Sequence, residues 1–306
     1  GANAVKMQTY TADTLTFNSK KEDFMIRGGL WDGLSLYELY KEAHMPWEWQ
    51  KELFNYAKDI NITIFSSPFD ASAVDFLESL NAPAYKIASF EAIDLPLIKY
   101  AASTKKPLII STGMANQEEI SEAIDAAKSS GCKELMILHC VSGYPAPSDQ
   151  YNVATIPDMI QRFQIPVGLS DHTIDNTTAV CSVALGACLI EKHFTLDRDG
   201  GGPDDSFSIE PSELNELCNQ TKTAWKARGD INYKKTDAEQ KNVIFRRSLY
   251  VVKNIKKGEV FTKENIKSIR PGFGLPPKEI EHCIGKVSLK NLSAGDALKA
   301  EHIKGY

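Results

Sequence analysis

Short apolar runs rich in β-branched residues alternate with helical patterns along the first 193 residues of the 306-residue chain. Seven such runs occur, at residues 4–8, 63–66, 84–87, 108–111, 135–140, 167–170 and 189–193. Apolar residues recur at helical spacing between them, as at residues 46–59, 71–80, 117–128 and 177–185. Strands that alternate with helices of this length predict an α/β fold with a parallel sheet, closed or open. Seven strands are one short of the eight that close a (β/α) barrel.

The pattern changes after residue 228, which predicts a second domain and makes residues 1–228 the barrel domain. Residues 229–242 are charged and have no apolar face, as expected of a linker. Residues 243–306 contain short strand runs and a turn rich in proline and glycine, so they are expected to form a small β-rich module. A module of this size needs a modest core of its own or a partner surface to be stable.

The composition excludes several classes of protein. The formal net charge of −5 argues against a general nucleic-acid-binding protein, which would carry a basic surface. No stretch reaches the roughly 18 apolar residues of a membrane span, so no membrane association is expected. The six cysteines form no CxxC pair, which favours free thiols in a reducing cytoplasm. An anionic substrate would therefore be met by a few local cationic residues.

Lys6 and Lys86 each lie inside an apolar strand, where an unpaired ammonium group would be costly. Because barrel active sites form at the carboxyl ends of strands, both lysines are expected at one barrel mouth. There they suit a phosphate and a carboxylate together; the alternative is that each pairs with a nearby carboxylate such as Glu91 or Glu191. Hydroxyl groups at the same strand ends would add donors, at Ser67, Ser89, Ser111 and Thr112. The alternative for several strand-end serines, Ser66 among them, is that they cap the following helices.

Two histidines end neighbouring strands of the predicted barrel, His172 in GLSDHT and His193 in IEKHFT. Adjacent parallel strands lie about 4.8 Å apart, so the two imidazoles can share a divalent metal whose other positions are filled by water. Alternatively, each histidine is a polar residue whose hydrogen bonds are satisfied by the protein. The sequence leaves both interpretations open.

Three further features suit a sugar substrate. Asp204 follows the second of these strands in a glycine-rich run, where it would bind a hydroxyl or an amide, or simply form a turn. Glu91 would act as a general base or as a hydrogen-bond partner of a polyol. Residues 28–49 carry three of the four tryptophans. They form either a wall over a sugar with apolar groups or, as is commoner, a long loop that packs against its own barrel.

Taken together, these motifs resemble the sialic acid synthase family, the phosphoenolpyruvate-dependent nonulosonate synthases. The matching segments run through nearly the whole chain in family order: VKMQT (5–9), SSPFD (66–70), YKIAS (85–89), ISTGMA (110–115), LHCVSGYP (138–145), GLSDHT (168–173), EKHFTLDRDGGGPDDSFSIEP (191–211), RRSLYVV (246–252) and RPGFGLPP (270–277). The resemblance implies a TIM (β/α)8-type barrel followed by a C-terminal antifreeze-like (SAF) domain. Within the family, residues 28–49, the triple glycine before Pro203 and residues 142–144 resemble pseudaminic acid synthase more than N-acetylneuraminate synthase.

The resemblance also implies a reaction, in which phosphoenolpyruvate condenses with the open-chain form of 2,4-diacetamido-2,4,6-trideoxy-β-L-altropyranose and phosphate leaves by C–O cleavage. Phosphoenolpyruvate would be held by Lys6, Ser67, Lys86, Ser89, Thr112, Ser142 and Ser170. The sugar would be bound by Gln8, Glu91, Tyr144, Asp204 and Arg270. The catalytic residues would be Glu91, His172 and His193. The two histidines would hold a divalent metal, Mn²⁺, Mg²⁺ or Co²⁺.

Family members form a domain-swapped homodimer in which the antifreeze-like domain lends an arginine to the partner's sugar site, and Arg270 is the matching residue. They open with a strand that ends in Glu-Ile-Gly, followed by an Asn-His pair, and neither motif occurs at the start of this sequence. We therefore expect the barrel to lack its first β/α unit and a catalytic glutamate, with little turnover by these residues alone. The alternatives are N-acetylneuraminate or legionaminate synthase, and a non-catalytic sugar-binding protein. A 3-deoxy-sugar-acid synthase is disfavoured because it would leave the antifreeze-like domain unexplained.

Overall fold

The computed structural model describes residues 1–306 as two units, Gly1–Gly229 and Asp230–Tyr306. The first unit contains a seven-stranded parallel sheet whose strands pair in chain order. These strands are β1 (Ala4–Thr9), β2 (Thr63–Pro68), β3 (Tyr85–Ile87), β4 (Leu108–Ser111), β5 (Leu135–Cys140), β6 (Val167–Asp171) and β7 (Ile190–Lys192). Every strand overlaps a run predicted from the sequence, so the predicted number and order of strands are confirmed.

Helices alternate with the strands and cover one face of the sheet. They are α1 (Ala12–Leu15), α2 (Leu36–Ala43), α3 (Trp47–Asp59), α4 (Ala71–Ser79), α5 (Leu95–Ser103), α6 (Gln117–Ser129), α7 (Thr155–Phe163), α8 (Thr177–Ala184) and α9 (Pro211–Arg228). The apolar core lies between strands and helices, where Ile87 and Ile137 of the sheet pack with Leu77, Ile98 and Ile156 of the helices. Burial of this core holds the strands in place and leaves the other face of the sheet for polar residues.

Contacts between the two edge strands show that the sheet is curled. The Nζ atom of Lys6, on β1, lies 3.0 Å from Oε2 of Glu191, on β7. In a flat sheet, with about 4.8 Å between strands, these edges would be roughly 29 Å apart. The sheet therefore curves into a barrel-like half-cylinder, although β1 pairs only with β2 and β7 only with β6. The predicted TIM-type fold with seven strands is confirmed.

Side-chain alternation decides which polar residues enter the barrel interior. On β2, Ile64 packs in an apolar cluster with Met7 and Ala57 of the outer layer. Ser66 lies on that same outer face, where its hydroxyl is 2.6 Å from that of Thr9. The next side chain, Ser67, points the opposite way, into the barrel. Two consecutive serines thus have different surroundings.

The helices after β2 and β4 are capped by residues other than the strand-end serines. The Asp70 carboxylate accepts hydrogen bonds from the Ser72 and Ala73 backbone N–H groups at the start of α4. Asn116 caps α6 in the same way, by accepting from the first-turn N–H groups of that helix. The capping role considered for the serines is therefore wrong, and the hydroxyls of Ser67 and Ser111 are left for another use.

The second unit has its own small core. Strands β8 (Ser248–Val251) and β9 (Ile266–Ile269) pair antiparallel, with short helices α10 (Asp237–Gln240) and α11 (Ile280–Cys283) beside them in sequence. Their buried apolar residues are Leu249, Val251, Ile255, Phe261, Ile266, Cys283, Leu292, Leu298 and Ile303. Helix α10 falls within the predicted linker. All six cysteines of the chain are free thiols, and none of its helices combines the length and hydropathy needed to cross a bilayer.

Candidate active site

Three charged side chains from different strands meet inside the barrel. The Lys6 Nζ atom lies 3.0 Å from Glu191 Oε2, and the Lys86 Nζ atom lies 3.2 Å from Glu191 Oε1. The Ser170 hydroxyl donates to Glu191 Oε1 at 2.9 Å. We call Lys6, Lys86 and Glu191 the ionic triad. The structure brings both predicted lysines to one place and, of the two carboxylates considered for them, pairs them with Glu191.

The ionic triad holds two cations around one carboxylate. Burial lowers the pKa of Lys6 to about 8, although the Glu191 carboxylate opposes this shift. Burial also opposes ionisation of Glu191, yet the charges of Lys6 and Lys86 hold the pKa of its carboxyl well below the usual range. A buried excess of positive charge is costly unless an anion compensates it. The triad is therefore suited to bind one further anion.

Two buried hydroxyls on strands next to those that carry the two lysines have no hydrogen-bond partner. Ser67 Oγ, on β2, and Ser111 Oγ, on β4, are both fully enclosed and unpaired. Because buried polar groups nearly always find a partner, such atoms indicate a place where a ligand completes the hydrogen bonds. Thr112 is different, since its hydroxyl already donates to the Leu138 carbonyl at 3.0 Å. Of the predicted hydroxyl donors, Ser67 and Ser111 are the ones left free.

A glycine that the sequence reasoning did not single out brings two predicted serines together. The Gly113 N–H donates to Ser89 Oγ at 3.2 Å, and the Ser89 hydroxyl donates to Cys140 Sγ at 3.3 Å. A Cβ on Gly113 would lie 2.3 Å from Ser142 Oγ and 2.8 Å from Ser89 Oγ. Any larger residue at this position would force Ser89 or Ser142 to shift. The signal in the sequence was a Thr-Gly pair directly after a strand, which is too common to be specific.

The two predicted histidines are neighbours with matching hydrogen bonds. Their ring centroids lie 5.4 Å apart. His172 Nδ1 is 2.8 Å from the Val141 carbonyl oxygen, and His193 Nδ1 is 3.3 Å from Asp204 Oδ2. If each Nδ1 carries the proton and donates it, both Nε2 lone pairs remain available. Burial lowers the pKa of His193 despite the nearby Asp204 carboxylate, which favours the neutral ring.

This donor set fits a divalent metal. Histidines that bind metal commonly donate their other ring N–H to a carbonyl or a carboxylate, and the Nδ1 atoms of His172 and His193 each lie beside such an acceptor. The structure contains no group of three or more His, Cys, Asp or Glu side chains placed to hold a metal ion. The protein would therefore supply two imidazole nitrogens, and water or substrate oxygens would supply the rest.

A buried ion pair on the outer side fixes the strand that carries one histidine. The Lys192 Nζ atom lies 2.8 Å from Asp171 Oδ2 and also donates to the Thr173 and Asp175 carbonyls at 2.7 Å. Lys192 lies between Glu191 and His193 in the sequence, and its side chain is held on the outer side of the sheet. Because successive side chains of a strand point to opposite faces, Glu191 and His193 both point toward the barrel mouth. The alternation of β7 thus positions triad and histidine at once.

Aromatic rings surround the histidine pair. The Tyr144 ring, predicted to contact the sugar, lies 4.4 Å from His172 and 6.0 Å from His193 between centroids. Phe207, which the sequence analysis missed, lies 5.2 Å from both Tyr144 and His193. Trp31, from the tryptophan-rich segment, is 6.3 Å from Tyr144. At least one tryptophan of residues 28–49 therefore lies at the site.

The predicted acid–base residue Glu91 lies in a turn, Ser89–Glu91, directly after β3. Its Oε2 atom is buried and has no hydrogen-bond partner. Burial raises the pKa of Glu91 to about 7, although the charge of Lys86 opposes the rise. A carboxyl with this pKa can both donate and accept a proton near neutral pH. Gln8 lies two residues after Lys6 on the same face of β1, whereas Arg270 follows β9 in the second unit, so its role stays a prediction.

A wider cavity of the first unit lies away from this site. It has a volume of about 780 Å³, is lined by residues of α8 and α9 such as Val180 and Glu216, and contains no predicted site residue. A smaller cavity of about 240 Å³ borders the aromatic rings, with Trp31 and Pro203 in its wall. Location and chemistry, and not volume, identify the barrel mouth as the candidate active site.

The chain is similar to several known proteins. Residues 1–233 match the NeuB family and residues 246–304 match the SAF domain. The chain is 45% identical over 299 residues to a pseudaminic acid synthase of Campylobacter jejuni, covering 98% of this chain and 87% of that protein. It is 38% identical over 303 residues to an N,N'-diacetyllegionaminic acid synthase of the same species, covering 98% of this chain and 90% of that protein. A crystal structure of N-acetylneuraminic acid synthetase from Leptospira borgpetersenii, in complex with citrate, superposes with a TM-score of 0.71 at 30% identity, covering 80% of this chain and 81% of that one. The chain therefore belongs to the NeuB family.

Proposed function

We propose that this chain is a phosphoenolpyruvate-dependent nonulosonate synthase of the pseudaminic acid type. It condenses phosphoenolpyruvate with 2,4-diacetamido-2,4,6-trideoxy-β-L-altropyranose to give pseudaminic acid and phosphate. The observation that carries the proposal is the ionic triad, with its excess positive charge, next to the neighbouring rings of His172 and His193. The 45% identity to a pseudaminic acid synthase supports the choice of sugar.

The ionic triad and its hydroxyls suit phosphoenolpyruvate. This substrate carries a carboxylate and a phosphate close together, so it brings the negative charge that Lys6 and Lys86 lack when they share Glu191. The unpaired hydroxyls of Ser67 and Ser111 can donate to its oxygens. Charge-assisted hydrogen bonds to phosphate and carboxylate oxygens are among the strongest in proteins. Binding would fix the enol carbon toward the histidine side of the mouth.

The reaction balances with groups that the site provides. Carbon 3 of phosphoenolpyruvate bonds to the aldehyde carbon of the open-chain sugar, and the aldehyde oxygen takes up a proton. A water oxygen bonds to carbon 2, and that water loses one proton, which balances the proton taken up by the aldehyde oxygen. The hydroxyl on carbon 2 then passes its remaining proton to the leaving phosphate as the bond from carbon 2 to the phosphate oxygen breaks, which leaves a ketone at carbon 2. Glu91, with a pKa of about 7, can move one of these protons near neutral pH. His172 and His193 would hold a divalent metal, whose positive charge would polarise the aldehyde or the water.

The decisive experiment is a measurement of sugar preference. The full gene product, loaded with Mn²⁺, is incubated with phosphoenolpyruvate and one of three sugars: the altro-configured diacetamido sugar, its manno-configured counterpart or N-acetylmannosamine. Phosphate release is then followed over time. We expect the altro sugar to give the highest kcat/KM. A preference for N-acetylmannosamine or for the manno sugar would refute the substrate assignment, and no release with any sugar would favour a non-catalytic sugar-binding protein.

The second candidate function is that of a legionaminate-type synthase. It rests on 38% identity to an N,N'-diacetyllegionaminic acid synthase, which is lower than the 45% identity to the pseudaminic acid synthase. The same assay separates the two, because they differ in the configuration of the diacetamido sugar. A Lys86→Met variant is the matched control for phosphoenolpyruvate binding, since Lys86 is buried against Glu191. It should lose phosphate release with every sugar.

We further propose that the active form is a homodimer in which Arg270 of one chain serves the sugar site of the other, in a reducing cytoplasm that suits six free thiols. Co-expression tests the exchange. Arg270→Ala chains and His172→Ala chains should each be inactive alone, yet random pairing should restore about a quarter of the activity, since half of the dimers would have one intact site. Mixtures that stay inactive would contradict the exchange.

A further inference from the structure

The smaller cavity lies between two segments that are far apart in sequence. The loop before α2 and α2 itself provide one wall, with Leu30, Trp31, Leu34 and Leu39. The glycine run before Asp204 provides the other wall, with Gly201, Gly202 and Pro203. Its volume of about 240 Å³ is below the roughly 300–1,000 Å³ of sites that enclose a whole small molecule. We call it the Trp31 pocket; its size suits one substituent of a larger ligand.

The Trp31 pocket borders the active site directly. The Trp31 ring lies 6.3 Å from Tyr144, and the Tyr144 ring lies 4.4 Å from His172. On the opposite wall, Pro203 precedes Asp204, whose Oδ2 atom is 3.3 Å from His193 Nδ1. A sugar held at the histidine pair would therefore need to extend past only one aromatic ring to place a substituent in this pocket.

The glycine wall of the pocket is preformed. Gly201 has φ of +83°, a conformation that side chains with a Cβ rarely adopt. A Cβ on Gly202 would lie 2.8 Å from Asp205 Oδ2. Asp205 itself accepts hydrogen bonds from the Gly202 N–H at 2.7 Å and from the Thr195 hydroxyl at 2.6 Å. The turn is thus fixed by its own contacts and leaves space where other residues would project side chains.

The chemistry of the walls is mostly apolar. Besides the leucines, the tryptophan and the proline, the lining includes only Ser206 and Glu42 as polar side chains. A hydroxyl group placed there would find side-chain hydrogen-bond partners only at Ser206 and Glu42, so it would gain less from the apolar walls than a group with an apolar part. An acetamido group combines an apolar methyl with a planar amide that can lie against an indole ring. A lone methyl, comparable to the ~30 Å³ of one water molecule, would leave most of the space empty.

We propose that the Trp31 pocket binds the 4-acetamido group of the sugar and so selects diacetamido sugars over sugars with a hydroxyl at carbon 4. This inference rests on the proposed function, because it concerns the same sugar site. It assigns a use to two features of the sequence, the tryptophan-rich segment and the triple glycine, that the phosphoenolpyruvate and metal sites leave unexplained. Trp31 is a specificity-determining residue in this view.

The test compares two sugars that differ only at carbon 4, the 4-acetamido substrate and its 4-hydroxy analogue, with the Mn²⁺-loaded full gene product. In Trp31→Ala, kcat/KM for the 4-acetamido sugar should fall about 10- to 200-fold, mainly through KM for the sugar. Values for the 4-hydroxy analogue and KM for phosphoenolpyruvate should stay within about twofold of the unmodified protein. Trp49→Ala is the matched control, because Trp49 is 60% exposed on α3 and does not line the pocket. It should behave like the unmodified protein.

Two results would overturn the inference: an equal loss for both sugars in Trp31→Ala, or no loss for either. Trp31→Phe keeps an aromatic wall and should retain part of the preference for the 4-acetamido sugar. If Trp31→Ala does not fold, Trp31→Phe is used in its place, and a smaller fall is expected in the ratio of kcat/KM for the 4-acetamido sugar to kcat/KM for the 4-hydroxy analogue. Failure of the proposed function is a separate outcome, seen when the unmodified protein itself prefers N-acetylmannosamine. If the unmodified protein prefers the diacetamido sugar and the Trp31 variants keep that preference in full, only the assignment of the pocket is refuted.

Discussion

Replacing Glu191 with glutamine removes the carboxylate that Lys6 and Lys86 share while preserving the size of the side chain. The two ammonium groups then face each other inside the barrel without a counter-charge. Removing one partner of a buried ion pair costs about 3–5 kcal/mol. In a unit of this size, each ~1 kcal/mol moves the melting temperature by about 2–4 °C. We therefore expect Glu191→Gln to melt about 6–20 °C below the unmodified protein in anion-poor buffer, as measured by circular dichroism.

The same variant offers an internal check, because an added anion can replace the lost carboxylate. Inorganic phosphate or phosphoenolpyruvate should raise the melting temperature of Glu191→Gln by more than it raises that of the unmodified protein. Glu22→Gln is the matched control: Glu22 pairs with Arg27 at 2.8 Å on the surface, where such pairs contribute little. The reasoning is refuted if Glu191→Gln melts together with Glu22→Gln, or if anions stabilise both variants equally.

Three further predictions concern proton transfer, metal and backbone. Because burial raises the pKa of Glu91 to about 7, Glu91→Gln should remove a step near pH 7 from the pH profile of phosphate release. The pKa of Glu91 in the folded protein lies above the ordinary 4.5, so the stabilisation from this carboxyl is complete below pH 4.5 and is lost as the pH rises through 7. Relative to Glu91→Gln, the free energy of unfolding of the unmodified protein should therefore fall by up to about 3 kcal/mol by pH 8, as measured by denaturant titrations. Asp204→Asn should weaken Mn²⁺ binding about 10- to 100-fold in calorimetry, and an unchanged affinity would argue against a metal at His193. Gly113→Ala, whose Cβ would lie 2.3 Å from Ser142 Oγ, should raise KM for phosphoenolpyruvate about 10- to 100-fold in steady-state assays and leave KM for the sugar nearly unchanged.

Local pattern was sufficient to predict the strands and several of their inward-facing residues. Lys86 lies inside an apolar run and Ser67 directly follows one, and both properties are visible in a short window of sequence. The sequence could not choose between Glu91 and Glu191 as partner of the lysines. That choice depends on the curl of the sheet, which brings β7 against β1 across the whole first unit. It is a property of tertiary structure.

Close approaches were equally hidden from the sequence. Gly113 is needed because Ser89 and Ser142, 24 and 29 positions away along the chain, leave no room for a Cβ. Phe207 joins the histidine cluster through a turn after the glycine run, and nothing in its neighbourhood marks it as a site residue. The two consecutive serines of β2 show most simply what the sequence does not reveal. Only the orientation of the strand in the sheet decides that Ser66 faces the outer layer and Ser67 faces the barrel interior.

The ionic triad also constrains the order in which this barrel can assemble. Lys6 and Lys86 belong to β1 and β3, whereas their common carboxylate arrives with β7, the last strand of the sheet. Chains emerge from the ribosome with the N-terminal part first, so the two cations are in place before their counter-ion exists. A nascent barrel interior is thus electrostatically incomplete until its final strand docks, and phosphate in the surrounding solution would be a natural temporary substitute. Docking of β7 then supplies the single carboxylate that both lysines share, which leaves the excess of one positive charge that suits an anionic substrate.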